Sequence, residues 1–180
     1  MAKVKVEIKG IDSLLHKFDN IRTMDLTNKV NKITALVHGQ AKSLAPNDKG
    51  DLGESIHMEV KKLPDKIQGR VYTNLEYAPY VEFGTGIKGN GTYPYKIKGV
   101  NLTYKNKAWF IPASKISEKT AEKYHFKKIT GKGGTVFYMT YGQEAQPFMY
   151  PAIRRNRKKM KEMMSAGVKD SLREICKGGK

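Results

Sequence analysis

The chain has 180 residues, with 34 Lys or Arg against 17 Asp or Glu and a net charge of +17 at pH 7. That length suits one α+β domain carrying an elaboration rather than two full-sized domains, and no apolar run reaches the length of a membrane-crossing helix. Cys176 is the only cysteine, which excludes an internal disulfide and a multi-cysteine metal cluster and reads as an ordinary residue of a near-terminal helix.

The charge is unevenly spread. Residues 87–142 hold eleven Lys and two Glu, a net +9, residues 151–180 carry +7, and the rest sums to +1. The basicity therefore belongs to an insertion and a tail, where it favours attraction to a polyanion or an acidic protein surface.

In chain order, Val4, Val6 and Ile8 alternate with Lys3, Lys5 and Glu7, the period of a half-buried strand that Gly10 ends. Charge in that alternation is unlike a secretion signal, so the expected compartment is cytosol-like. Leu14, Leu15, Phe18 and Ile21 recur at helical spacing behind Asp12, the expected N-cap. A longer helix follows, with Leu26, Val30, Ile33, Val37, Ala41 and Leu44 on one stripe and Pro46 as its stop. Each helix has one greasy face, and both need a sheet to cover.

Ile56, Met58 and Val60, then Ile67, Gly69, Val71 and Thr73, alternate on either side of residues 62–66 and predict a hairpin. Between them and the basic insertion lies the stretch Tyr77-Ala78-Pro79-Tyr80-Val81-Glu82-Phe83-Gly84-Thr85-Gly86. Pro79 fixes its own φ and biases Ala78 away from helix, while Gly84 and Gly86 permit a reversal, so Tyr77, Tyr80 and Phe83 are expected on a short, rigid, bent segment. Residues 109–111 and 136–139 are aromatic and β-branched enough for strands, with a charged stretch at 114–132 between them. The glycine-rich pieces 84–91 and 131–134 read as mobile loops. Pro151 is placed to open a C-terminal helix over residues 151–176, with Ile153, Met160, Met164, Leu172 and Ile175 as its stripe. Gly167 weakens its middle, and residues 177–180 are expected to be disordered.

Little in the chain looks like chemistry. Gly84-Thr85-Gly86-Ile87-Lys88-Gly89 matches the dinucleotide fingerprint letter by letter, but Asn90-Gly91-Thr92-Tyr93-Pro94 cannot open the helix that such a phosphate cradle needs. His16, His38, His57 and His125 show no metal spacing, and Asp48, Asp51 and Glu54 fit a turn and a helix cap at Asp51 better than a calcium loop. Ser43 and Ser55 have no histidine at a recognisable spacing, and Glu82 has no carboxylate partner. No catalytic residue, cofactor or metal is assigned, and the sequons at Asn90 and Asn101 are idle without secretion. The remaining candidate is the run Arg154, Arg155, Arg157, Lys158, Lys159 and Lys161, which is a solvated face or a site of phosphate-tracking, non-specific nucleic-acid contact.

Three segments together carry a resemblance. Ala45-Pro46 followed by Gly50-Asp51-Leu52-Gly53-Glu54-Ser55-Ile56 is similar to "A-P-x-x-T-G-x-L-x-x-S-I", with Lys49 where the hydroxyl residue stands. The stretch from Tyr77 to Thr85 is similar to "Y-A-x-Y-V-E-F-G-T", and Pro147-Phe148-Met149-Tyr150-Pro151-Ala152 to "P-F-x-x-P-A". In this order they resemble the tail-component proteins of long-tailed bacteriophages, typified by the gene-ten product of phage HK-ninety-seven, over most of residues 1–86 and 143–176. Residues 87–142 exceed what minimal members carry.

The resemblance implies an α+β fold in which a long helix packs on an antiparallel sheet, with a β-rich basic insertion and a C-terminal helix. It implies a structural, non-enzymatic virion protein of the neck or tail end, a hexameric ring that completes the tail or joins it to the head. Such a protein would assemble in the host cytoplasm and touch other neck and tail proteins, and genomic DNA in the conduit, but no membrane. Tyr77, Tyr80, Glu82, Phe83, Phe148 and Tyr150 are the interface candidates, with packing inside the chain as their alternative. A stand-alone basic protein that binds nucleic acid non-specifically is the alternative function.

Overall fold

The helical spacing between residues 11 and 44 becomes two helices, α1 (Ile11–Arg22) and α2 (Thr27–Leu44), in a computed structural model that describes residues 11–46 and 51–177. After them come α3 (Asp51–Glu54), β1 (Ile56–Lys62), β2 (Ile67–Thr73), α4 (Ala78–Phe83) and α5 (Gly86–Gly89). The chain continues with β3 (Trp109–Pro112), α6 (Glu118–Lys123), β4 (Lys127–Thr130), β5 (Val136–Thr140), β6 (Gly142–Gln143) and α7 (Met149–Lys177). The strand expected at residues 4–8, the turn at 47–50 and the tail at 178–180 lie outside the described residues. Mixed helix and antiparallel sheet is the fold class that the sequence implied. The elements fall into two compact units, one of residues up to 40, 57–72 and from 153 on, the other of 41–56 and 73–152.

In the first unit, α2 covers the β1–β2 hairpin. Ile33 and Val37 are buried on the predicted stripe with Thr34 beside them, and the Thr34 hydroxyl donates to the Val30 carbonyl at 2.8 Å. Gly69 of β2 faces this helix: a Cβ there would collide with the Thr34 hydroxyl and sit 3.3 Å from Val30 Cγ1. Glycine in the strand is therefore what permits the close approach of helix to hairpin. The hairpin turn closes through Leu63 N–H to the Lys66 carbonyl at 2.8 Å. Ahead of α2, Asp25 accepts from the Thr27 hydroxyl and amide and from Lys62 Nζ. The Thr27 bonds, with Lys62 behind them, hold that carboxyl well below the usual carboxylate range.

Three details of this unit differ from the sequence reading. α1 opens at Ile11, so Asp12 lies in its first turn rather than at the N-cap. Leu14, Leu15 and Phe18 of its apolar stripe are each more than half exposed, and among the described residues it is α2 that covers the hairpin. In α7, which opens at Met149 rather than Pro151, Ile153 is 50% exposed and outside the stripe, whereas Met160, Met164, Leu172 and Ile175 are half-buried. Gly167 is buried there, and its Cβ would lie 2.9 Å from the Lys29 side chain, so the helix gives up propensity for contact with α2.

In the second unit, β3, β5 and β4 form an antiparallel sheet in that order, with Trp109 opposite Thr140 and Lys128 opposite Tyr138. β4 and α6 arise inside the charged stretch at 114–132. All residues of β4 except Ile129 are exposed, as an edge strand permits, and the Ser117 hydroxyl caps α6 by accepting from Thr120 N–H at 3.2 Å. The glycine-rich piece at 84–91 is no open loop either. It contains α5 and bridges to β6, with Thr85 opposite Gln143 and Gly86 opposite Gly142.

Gly142 sits at φ +96°, and a Cβ there would strike the Thr85 carbonyl. Left-handed strain and a backbone collision add, so Gly142→Ala is expected to destabilise this unit by about 2–5 kcal/mol. Urea unfolding followed by circular dichroism measures it.

Candidate functional site

The three motif segments meet in the second unit. Leu52 of α3 and Ile56 at the head of β1 are buried, and between them Ser55 Oγ donates to the Leu52 carbonyl at 2.7 Å and pairs with Thr73 Oγ1 at 2.8 Å. Thr73 Oγ1 in turn accepts from Leu75 N–H at 3.2 Å. That ties the first motif to the chain entering the second. The second motif then turns into α4: Pro79 falls in the first turn, where its missing N–H removes no bond, so Ala78 is helical. This corrects the expectation that the proline would keep Ala78 out of a helix. Gly84, at φ +77°, ends the helix, and its N–H returns to the Tyr80 carbonyl.

One helical turn sends its residues to opposite fates. Tyr77 and Tyr80 stand 43% and 59% exposed, while Glu82 is 5% exposed and Ala78 is buried. The Glu82 carboxylate meets the first turn of α7, whose leading N–H groups have no partner within the helix. Its Oε2 accepts from Phe148 N–H at 2.7 Å and Met149 N–H at 2.9 Å, and its Oε1 from Tyr150 N–H at 3.2 Å and the Tyr93 hydroxyl at 3.3 Å. A full negative charge on the positive end of the helix dipole makes these bonds charge-assisted. Phe148, 1% exposed, and Pro151 close the site from the α7 side.

Residues of the insertion complete the cap. Phe83, Tyr93, Tyr95 and Tyr150 form a row of tilted and edge-on rings with successive centroids 5.0, 5.6 and 5.1 Å apart. The Tyr104 hydroxyl donates to the Phe83 carbonyl at 2.9 Å, and Thr92 Oγ1 accepts from Ala145 N–H at 2.9 Å. Burial first, and then the Glu82 charge, push the Tyr93 hydroxyl well above its ordinary 10.0.

Of the six interface candidates, Glu82 and Phe148 are therefore internal, Phe83 and Tyr150 belong to the ring row, and Tyr77 and Tyr80 alone offer ample surface. Tyr93, Tyr95 and Tyr104 went unmarked in the sequence. The Tyr-Pro-Tyr cluster in a lysine-rich insertion was the one available signal.

The fingerprint glycines serve packing. α5 has four residues, and a Cβ on Gly89 would lie 2.8 Å from the Gly84 carbonyl carbon and 2.9 Å from the Gln143 carbonyl oxygen. No group of three or more His, Cys, Asp or Glu among the described residues could hold a metal. Arg154, Arg155, Arg157, Lys158, Lys159 and Lys161 are all exposed on α7, with Lys158 facing Glu162 at 4.0 Å.

Two measurements probe the cap. Glu82→Gln removes the charge and turns one acceptor into a donor facing amide or phenol hydrogens, at an expected cost of about 2–4 kcal/mol in urea unfolding, against about 1 kcal/mol for Tyr93→Phe. Because the folded state holds the Tyr93 proton more tightly than the unfolded chain, the part of the stability due to Tyr93 is complete below pH 10 and declines as pH rises further. The difference in stability between wild type and Tyr93→Phe should therefore shrink above about pH 10.

No curated protein and no solved structure matches the chain. A family model matches over residues 12–84, from α1 through Gly84, and so contains the first motif and the second as far as Gly84, Glu82 included. It stops short of the insertion and the third motif. Residues 12–84 match the family described as "Bacteriophage HK97-gp10, putative tail-component", which is the family that the three ordered motifs resemble.

Proposed function

We propose that the chain is a structural virion protein of a phage neck or tail end, where a ring of copies completes the tail or joins it to the head. The tail-component match over residues 12–84 carries this reading. The fate of Glu82 supports it. The carboxylate of the second motif is enclosed by four donors and spent on holding a helix, which is the use a structural part makes of a carboxylate. Partners in this reading are further copies of the chain and other neck and tail proteins. Among the described residues, no helix is long and apolar enough to cross a membrane. Electron microscopy of purified particles immunolabelled for this protein should place label where head meets tail. Particles without label overturn the proposal.

In this reading the six exposed cations of α7 steer docking onto acidic neighbours or onto DNA in the conduit. Exposed charges add little to folding stability but strongly affect encounter rates. Replacing Arg154, Arg155, Arg157, Lys158, Lys159 and Lys161 with Gln should leave the circular dichroism spectrum unchanged and slow joining of heads to tails in an in vitro assembly assay by about tenfold or more. A salt titration on duplex DNA tests the stand-alone nucleic-acid reading. Six phosphate contacts would give a slope of log affinity against log salt of about −5, and flat, negligible binding removes that reading.

A further inference from the structure

Beside α4, within the second unit, lies an open groove of about 830 Å³ walled by Tyr77, Tyr80, Tyr104, Trp109 and Phe110. Phe110 is 58% exposed, so the groove presents aromatic surface that the chain itself leaves uncovered. Its cationic residues are Lys105 and Lys115, both exposed, and none of its lining residues is acidic.

All four residues of β3 line the groove. Successive strand residues point to opposite faces, so a groove touching all of them runs along the strand's edge. That edge is vacant: the sheet order β3-β5-β4 leaves one side of β3 unpaired, and among the described residues no backbone hydrogen bond joins it to another segment. The backbone groups of β3 that point away from β5 therefore lack a backbone partner among the described residues, and Pro112 contributes a carbonyl but no amide.

We infer that this groove receives an extended, acidic peptide segment of a neighbouring virion protein, which adds as a strand to the free edge of β3. The main chain would supply the hydrogen bonds, alternate apolar side chains would lie on the aromatic wall, and carboxylates would meet Lys105 and Lys115. Charge selects this occupant. A basic segment would meet two like charges and no counter-charge, whereas carboxylates would meet both lysines. The inference rests on the proposed role as an assembly part and names the chemistry of one neighbour.

The probe is a fluorescein-labelled nonapeptide of alternating Glu and Val, titrated against the full-length protein by fluorescence anisotropy and mapped by backbone amide NMR shifts. Binding should shift the amides of Trp109, Phe110 and Ile111. It should weaken at least tenfold in the double variant Lys105→Glu, Lys115→Glu, and at least tenfold when Gln replaces Glu in the peptide. Both lysines are exposed, so the variant is expected to keep the wild-type circular dichroism spectrum, and the wild-type shift map decides the matter if it does not. Shifts confined to residues 154–161, unchanged affinity in a folded double variant, or larger β3 shifts with a ten-nucleotide oligothymidylate would each overturn the inference. Immunolabelling of particles separates the two claims. Label on particles with no binding of the peptide at β3 removes only the groove, whereas β3 binding by a protein absent from particles removes the assembly role.

Discussion

A single buried carboxylate holds the second unit together. Glu82 reaches the N-terminus of a 29-residue helix from a position 66 residues upstream of the first amide it binds. An unpaired carboxylate at 5% exposure would be costly, and the leading amides of α7 would be equally costly if left dry. Each group is the other's solution. The arrangement is all-or-none in character, because removing either partner strands a buried polar group, and that makes the pairing of α4 with α7 a strong constraint on how residues 73–152 can fold.

This pairing gives the motif spacing a physical meaning. "Y-A-x-Y-V-E-F-G-T" supplies a short helix that begins at a tolerated proline, aims a carboxylate inward and stops at a left-handed glycine. "P-F-x-x-P-A" supplies the amides that receive the carboxylate and the phenylalanine that seals it. The first motif anchors the chain that leads into α4 through Ser55 and Thr73. Insertion residues Tyr93, Tyr95 and Tyr104 are built into the same structure, so the insertion is no mere appendage: its rings stabilise the cap while its lysines give it charge.

Elements with a strong period were legible in the sequence. The α2 stripe, the hairpin alternation and the helical spacing before Cys176 each repeat over enough residues to reveal a buried face. The sequence also marked Glu82, but not its use, since a carboxylate that binds backbone amides leaves no complementary side chain elsewhere to be found. Pro79 misled in the ordinary way: the bias of a pre-proline residue against helix yields when proline falls in a first turn. β4 escaped notice because a one-sided edge strand needs only one inward residue, Ile129, and that is too few to show alternation. For α1 the period was real, but a helical stripe does not say which element covers it, and Leu14, Leu15 and Phe18 are each more than half exposed.

The uncovered surface follows from where the chain spends its apolar residues. Leu14, Leu15 and Phe18 on α1 and the aromatic wall beside β3 remain exposed in residues that the internal packing does not use, while Phe148 and Ile56 are driven to near-complete burial. A free monomer gains nothing from displaying such faces and risks non-specific association. A net charge of +17 counters that risk through repulsion between identical chains. Apolar faces that reward contact, combined with charge that delays it, suit the assembly role proposed above, because such a part gains from contact only where a neighbour offsets its charge.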